Sequence, residues 1–217
     1  MSSFPGSPHL VKGGIVLINA ATAKVEQIIT LQYNPDTLSR TLAVQAITGE
    51  GNTRSQALRL TGPPVETFKL DAEIDATDQL QVADSVTTRV GIQPQLAALE
   101  MIIYPSSTSL ISNNNLSNAG TLEIFPMESA LTLFIWNKNR IIPVRFTDFS
   151  VTEEAFDVNL NPIRAKVSIG MRVLSVDDLG FDHKGGSLFM CYQQNKEKLA
   201  GMFTAGTLSE LGINAIP

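Results

Sequence analysis

The chain reads as a mainly β protein with flanking helices, its antiparallel strands curved into a barrel or a sandwich. Three observations carry that reading. Residues 67–75 alternate strictly, with Phe68, Leu70, Ala72 and Ile74 set against Thr67, Lys69, Asp71, Glu73 and Asp75; such a period of two sends apolar and polar side chains to opposite faces of a half-buried strand. Residues 164–173 repeat the pattern, with Ala165, Val167, Ile169, Met171 and Val173 on one face. Both segments exceed the usual strand length of about 5–6 residues, as the wall of a barrel or sandwich requires. Third, helical spacing is confined to one insert between strands and one C-terminal stretch.

In chain order, strands are expected over 10–18, 27–33, 39–46 and 67–75. A helical insert follows. Its first helix, 78–88, opens with Thr77 or Asp78 as N-cap, and its second, 94–104, opens with Pro94 at a permitted first-turn position. Leu96, Leu99, Ile102 and Ile103 share one face of that second helix and are expected to cover an open side of the sheet. Pro105 ends it, and the Ser- and Asn-rich run 105–120 reads as a long exposed loop. Strands resume over 130–136 and 141–151. In the latter, Val144 and Phe146 share a face whereas Phe149 and Val151 switch parity, as a bulge would make them do. After the strand at 164–173, the polar, glycine-rich 177–186 reads as a connector and 187–203 as a helix. The expected organisation is a β domain over 1–176, with its helical insert around 78–104, followed by a connector and helical tail over 177–217.

Composition excludes several function classes. Among 217 residues, 43% are hydrophobic and 17% charged, which supports a buried core. Sixteen basic side chains against 21 acidic ones give a net charge of −5, without a basic run to displace counterions from a nucleic acid. No apolar stretch approaches the roughly 20 residues of a membrane-spanning helix, so no direct membrane insertion is expected. The start, Met1 to Pro8, lacks a basic segment followed by an apolar one, so folding in a cytoplasm is the default expectation.

Catalytic groups are equally sparse. A single cysteine and two histidines hold no zinc or haem, and no cofactor or metal is expected. His9 and His183 lie near the ends in polar or glycine-rich segments, away from any nucleophile and orienting acid. Cys191, mid-helix, reads as a small packing residue. Asp71, Glu73 and Asp75, with Asp78 nearby, line one strand face as any solvated face does, and they lack the glycine-centred loop of a calcium site. Gly49-Glu50-Gly51 lacks the Gly-Lys-Ser/Thr of a phosphate cradle.

Two segments crowd bulky and polar residues at strand ends. Trp136-Asn137-Lys138-Asn139-Arg140 is a hairpin turn whose Trp136 and Arg140 are residue types favoured at interfaces, although a Trp at a strand end serves equally as core. In Gln32-Tyr33-Asn34-Pro35, Pro35 must stop the strand because it lacks a ladder donor. Tyr33, Asn34, Trp136, Asn139 and Arg140 are the candidate interface residues.

At these residues the chain resembles a known family. Leu31-Gln32-Tyr33-Asn34-Pro35 followed by Leu38-Ser39-Arg40 is similar to the signature of the tube-like baseplate proteins of contractile injection systems, phage-tail-derived particles that drive a spike and tube through a membrane. Further matching segments follow in order: Gly62 to Phe68, Asp75 to Leu80, Pro94 to Glu100 with Tyr104-Pro105, Trp136 to Arg145, Thr152 to Asp157, and Leu160 to Ala165. The resemblance spans about Val11 to Val176. It implies a tail-tube-like fold and a homo-hexameric ring in the inner baseplate, joining the trimeric spike hub to the inner tube, with baseplate wedge proteins as further partners.

Two departures stand out. Asn137 occupies a position where the family commonly has glycine; both residues tolerate unusual backbone angles, so the turn is expected to survive. Many relatives also carry a C-terminal peptidoglycan-binding module, where this chain has a connector and a helix. A non-enzymatic adaptor in a particle either released or membrane-anchored is the leading expectation, and an inner tube or tube-cap subunit of the same machine is the alternative. A glycan hydrolase working through Asp71, Glu73 or Asp75 would need a carboxylate pair facing a cleft.

Overall fold

A computed structural model describes residues 10–46, 59–118, 120 and 129–216. Seven strands form one sheet: β1 (Gly14–Ile18), β2 (Val25–Thr30), β3 (Leu38–Ala43), β4 (Val65–Asp75), β5 (Leu131–Asn137), β6 (Arg140–Phe156) and β7 (Pro162–Val173). Their order across the sheet is β2-β1-β5-β6-β7-β4-β3, with every neighbouring pair antiparallel. The fold is therefore mainly β, as the alternation predicts. The sheet does not close into a barrel. Among the described residues, six-residue β3 pairs only with Val65–Leu70 of β4, so Asp71–Asp75 have no strand on that side, and β2 pairs only with β1.

The sheet nevertheless curls tightly. Phe68 on β4 and Phe134 on β5 have ring centroids 5.7 Å apart, with β7 and β6 between their strands. Three flat inter-strand spacings would separate them by about 14 Å. Part of the bend lies in β6, where the ladder to β7 slips between Phe146 and Asp148, the place marked by the parity switch. The concave face collects Ile15, Phe68, Leu70, Phe134, Ile142, Val144, Val167, Ile169 and Met171, all buried. A smaller cluster of Val16, Ile18, Leu131 and Leu133 packs with Leu179 and Leu188.

The helices cover what the strands leave open. The first insert helix divides in two, α1 (Thr77–Gln81) and α2 (Ser85–Val90), because Ala83 takes a φ of 51° and Asp84 starts a new helix. The Asp84 carboxylate accepts from the Thr87 amide and hydroxyl, both at 2.9 Å, so the working cap is neither Thr77 nor Asp78. Gly91, at a φ of 60°, then lies so close to the Pro162 carbonyl that a Cβ would stand 2.1 Å from its oxygen. The next amide, Ile92 N, donates to that same carbonyl at 2.9 Å. α3 (Gln93–Glu100) follows and buries Leu96 and Leu99 in the main core. Residues 107–118 depart from the expected loop: they form α4 (Ser107–Asn118), started by the Ser106 hydroxyl, which accepts from Ser109 N. None of its residues is buried, which explains why no apolar stripe announced it.

Beyond β7 come α5 (Val176–Leu179) and α6 (Lys184–Ala200). Phe189 and Tyr192 of α6 belong to the main core. Tyr192 donates to the buried Glu66 carboxylate at 2.8 Å, and Lys196 contacts its other oxygen at 2.8 Å while lying 4.0 Å from the Tyr192 ring centroid. Arg40 of β3 completes the set, 3.7 Å from Glu66. Burial first, and then the Glu66 bond, pushes the Tyr192 phenol well above its ordinary pKa, so it remains a donor. A buried carboxylate compensated in this way ties α6 to two strands.

Truncating Phe134 to Ala leaves a void between β4 and β5 and is expected to cost about 3–5 kcal/mol in urea denaturation. A loss below about 1 kcal/mol would contradict the tight curl.

Candidate assembly interface

The segment after β2 is held by its own side chains. Gln32 Oε1 accepts from Asp75 N at 3.0 Å and Gln32 Nε2 donates to Asp75 O at 2.6 Å. One amide side chain thus takes the place of a neighbouring strand at the end of β4, across the gap where the sheet fails to close. Asn34 repeats the device on the other side. Its Oδ1 accepts from Gly13 N at 2.9 Å and its Nδ2 donates to Val11 O at 2.8 Å. Pro35 then removes any further ladder donor.

Trp136 meets the same place from β5. Gly14 pairs with Ile135, and the indole lies over Gly13, where an added Cβ would be 2.9 Å from the ring. Trp136 also packs on Phe134 at a centroid distance of 6.0 Å. Three of the five candidate residues, Tyr33, Asn34 and Trp136, therefore gather around the start of β1. Asn34 and Trp136 hold the backbone there, whereas Tyr33 is 48% exposed. Asn139 and Arg140 flank the adjoining turn. There Asn137 keeps φ negative and instead accepts from Asn139 N at 2.9 Å, so its side chain, not a glycine-like backbone, supports the turn. Leu10, Val11 and Ile141 are exposed beside it.

Asp75 links this corner to β7. Arg164 grips its carboxylate with Nε at 2.7 Å and a terminal nitrogen at 2.6 Å. The Thr77 hydroxyl and amide both donate to it. The Thr77 hydroxyl first, then the Thr77 amide and Arg164, outweigh partial burial and hold the Asp75 carboxyl below its ordinary pKa. Sequence reasoning singled out Asp75 only as one of a row of acids. Its partners lie 43 and 89 residues away, beyond any local pattern.

The geometry offers no reaction centre among the described residues. Glu73 stands 3.8 Å from Arg164, so the acidic row is a surface charge ladder. No group of three His, Cys, Asp or Glu side chains among the described residues is placed to hold a metal ion. His183 accepts from Gly185 N at 3.0 Å as the cap of α6. Cys191 is exposed rather than packed, because the buried stripe of α6 runs through Phe189 and Tyr192. His9 and Gly49-Glu50-Gly51 lie outside the described residues. No helix among the described residues is long and apolar enough to cross a membrane.

No protein-family model matches the chain, and no curated protein matches it. Among solved structures it is similar to a chain from the tail of an empty GTA particle determined by helical refinement with C6 symmetry. The two share 12% identity with a TM-score of 0.28, over 75% of this chain and 90% of that one.

Replacing Gln32 by Ala removes both bonds to Asp75 and is expected to cost about 1–3 kcal/mol. Amide exchange at Asp75 should quicken, and unchanged protection there would show that the bridge is dispensable. Because the folded Asp75 carboxyl titrates below its unfolded value, its contribution is present above about pH 4 and is lost as pH falls through the folded pKa. In urea midpoints measured from pH 2 to 7, Asp75→Asn should therefore flatten the acid limb, and equal slopes in the two proteins would contradict this.

Proposed function

We propose that this chain is a structural, non-enzymatic component of a contractile, phage-tail-like injection particle, forming a homo-hexameric ring of the inner baseplate between the spike hub and the inner tube. One observation carries the reading most directly. Segments that match the family's motifs, though scattered along the chain, are bonded to one another in the fold. Gln32 bridges to Asp75, and Asp75 to Arg164. The matched residues thus specify a framework and converge on no reactive group.

The open sheet supports assembly. An uncovered strand edge invites pairing with another chain, and a head-to-tail ring removes such edges without exposing new ones. Among the described residues, the outer edge of β2 and the Asp71–Ile74 edge of β4, up to where Gln32 caps Asp75, are of this kind. Tyr33, Asn139 and Arg140, on the corner that Asn34 and Trp136 hold rigid, are proposed to face the spike hub, tube or wedge proteins. The particle would be assembled in a bacterial cytoplasm and then released or anchored to a membrane.

The same fold suits an inner tube or tube-cap subunit, which differs in copy number. Quantitative mass spectrometry of sedimented sheath-and-tube particles decides: about six copies per spike trimer support the adaptor ring, hundreds make it a tube subunit, and absence from intact particles overturns both. Within such particles, Tyr33→Asp with Arg140→Glu should lower incorporation at least severalfold while the purified variant retains its melting temperature. Normal incorporation would remove this corner from the interface.

A further inference from the structure

We infer that the end of the sheet where β1 begins, β2 ends and β5 turns into β6 docks an acidic face of a different protein chain in the particle. The inference rests on the ring reading above and names the chemistry of one partner. Register brings the segments together. Thr30 pairs with Gly14, Gly14 with Ile135 and Ile135 with Ile141, in one row across β2, β1, β5 and β6. Because these neighbours are antiparallel, residues 10–13, 31–35 and 136–140 all leave the row at the same end. The three stretches carry Lys12, Lys138 and Arg140 and no Asp or Glu. None of these cations forms an ion pair among the described residues, whereas Arg40, Arg164, Lys166, Arg172 and Lys196 each do. Asp75, which Gln32 brings here, is already gripped by Arg164. Even with Asp36 just beyond Pro35, this end is positive on a chain whose net charge is −5.

The cations accompany an exposed apolar surface. Leu10 and Val11 are 74% and 73% exposed, and Tyr33 and Ile141 are exposed at the same end. Lys12 and Lys138 are exposed and Arg140 half-buried. Apolar and aromatic groups beside charged ones are the anatomy of a protein contact, in which the charges select the partner and speed its approach. The backbone beneath is already fixed. Asn34 holds Val11 and Gly13, the Trp136 indole lies over Gly13, and Lys12 Nζ donates to Gln32 O at 2.9 Å. Little ordering cost is left to meet on contact.

An acidic protein face fits better than the other anionic partners. Three cations fall short of the basic run that displaces counterions from a nucleic acid, and of the cluster of about four to eight that marks a site for anionic lipid. A second copy is served elsewhere. The ring reading gives a neighbouring copy the lateral edges of β2 and β4, and strand ends lie at right angles to strand edges. The end surface is thereby left to a different chain.

The test treats purified particles with a carbodiimide, which joins a lysine amine directly to a carboxylate in contact with it, and reads the linked peptides by mass spectrometry. Lys166 and Glu154, 2.8 Å apart within the chain, form the internal standard. Lys12 or Lys138 should be joined to an Asp or Glu of a different protein. If the standard forms but neither lysine is linked, or each is linked only to copies of this chain, the docking face is overturned and the ring reading stands. Lys12→Glu with Lys138→Glu should lower incorporation about tenfold or more at an unchanged melting temperature, whereas Lys24→Glu, at the other end of β2, should not. Equal incorporation of the two variants overturns the face. The purified chain should not sediment with vesicles containing phosphatidylglycerol; vesicle binding that the double variant loses would assign these cations to lipid instead. Absence of the chain from particles overturns both the face and the ring.

Discussion

Phe68 and Phe134 touch although two strands lie between theirs, and much of the molecule follows from that contact. Strands sit about 4.8 Å apart, so only a strongly curled sheet brings the rings together. Curling makes one face a concave interior, which the side chains of β4 to β7 cannot fill alone; α3 and α6 supply Leu96, Leu99, Phe189 and Tyr192. It also forces β6 to bulge past β7 near Asp148. Finally, it carries β2 and the end of β4 towards each other without letting their backbones pair.

That last gap is closed by side chains imitating backbone. Gln32 gives Asp75 one donor and one acceptor, as a strand would, and Asn34 does the same for Val11 and Gly13. Each such bond contributes only about 0.5–1.5 kcal/mol net, yet an unpaired backbone group in the same half-buried position costs comparably. Two amide side chains therefore fix the corner while, among the described residues, no strand pairs with the outer edge of β2. A completed barrel would have removed that edge, and with it the simplest means of joining a neighbour.

Much of the sheet was legible in the sequence because its long strands are buried on one face only. Thr67 to Asp75 and Arg164 to Val173 alternate without a break, and the shift from Phe146 to Phe149 marks the bulge. The gap in the sheet was not legible, since alternation reports faces and says nothing of which edges meet. Helix α4 escaped because Ser and Asn dominate it and it buries nothing, so propensity and pattern both pointed to loop. At the candidate interface, Trp136 and Asn34 were visible as unusual residues at strand ends. Their intrachain duties depend on Gly13, whose lack of a side chain signals nothing until the indole is seen above it. Gln32 and Asp75 were hidden for a plainer reason: 43 residues separate them.

Positive φ values at Ala23, Ala83 and Leu160 sharpen the reading of the β6–β7 turn. All three carry a Cβ and so bear the left-handed cost; at Ala83 it falls where α1 gives way to α2. At Leu160 a large side chain is displayed as well. A left-handed backbone costs a non-glycine residue roughly 1–2 kcal/mol, which glycine would recover at no loss of packing, since most of the Leu160 side chain touches nothing in its own chain. Folding alone gives no reason for a large apolar group there. The strain is sustained by the Asp157 and Asn161 network, which fixes Val158 and Leu160 in one presentation. The strained Leu160 backbone is thus kept by side-chain hydrogen bonds around it and not by burial of the leucine itself.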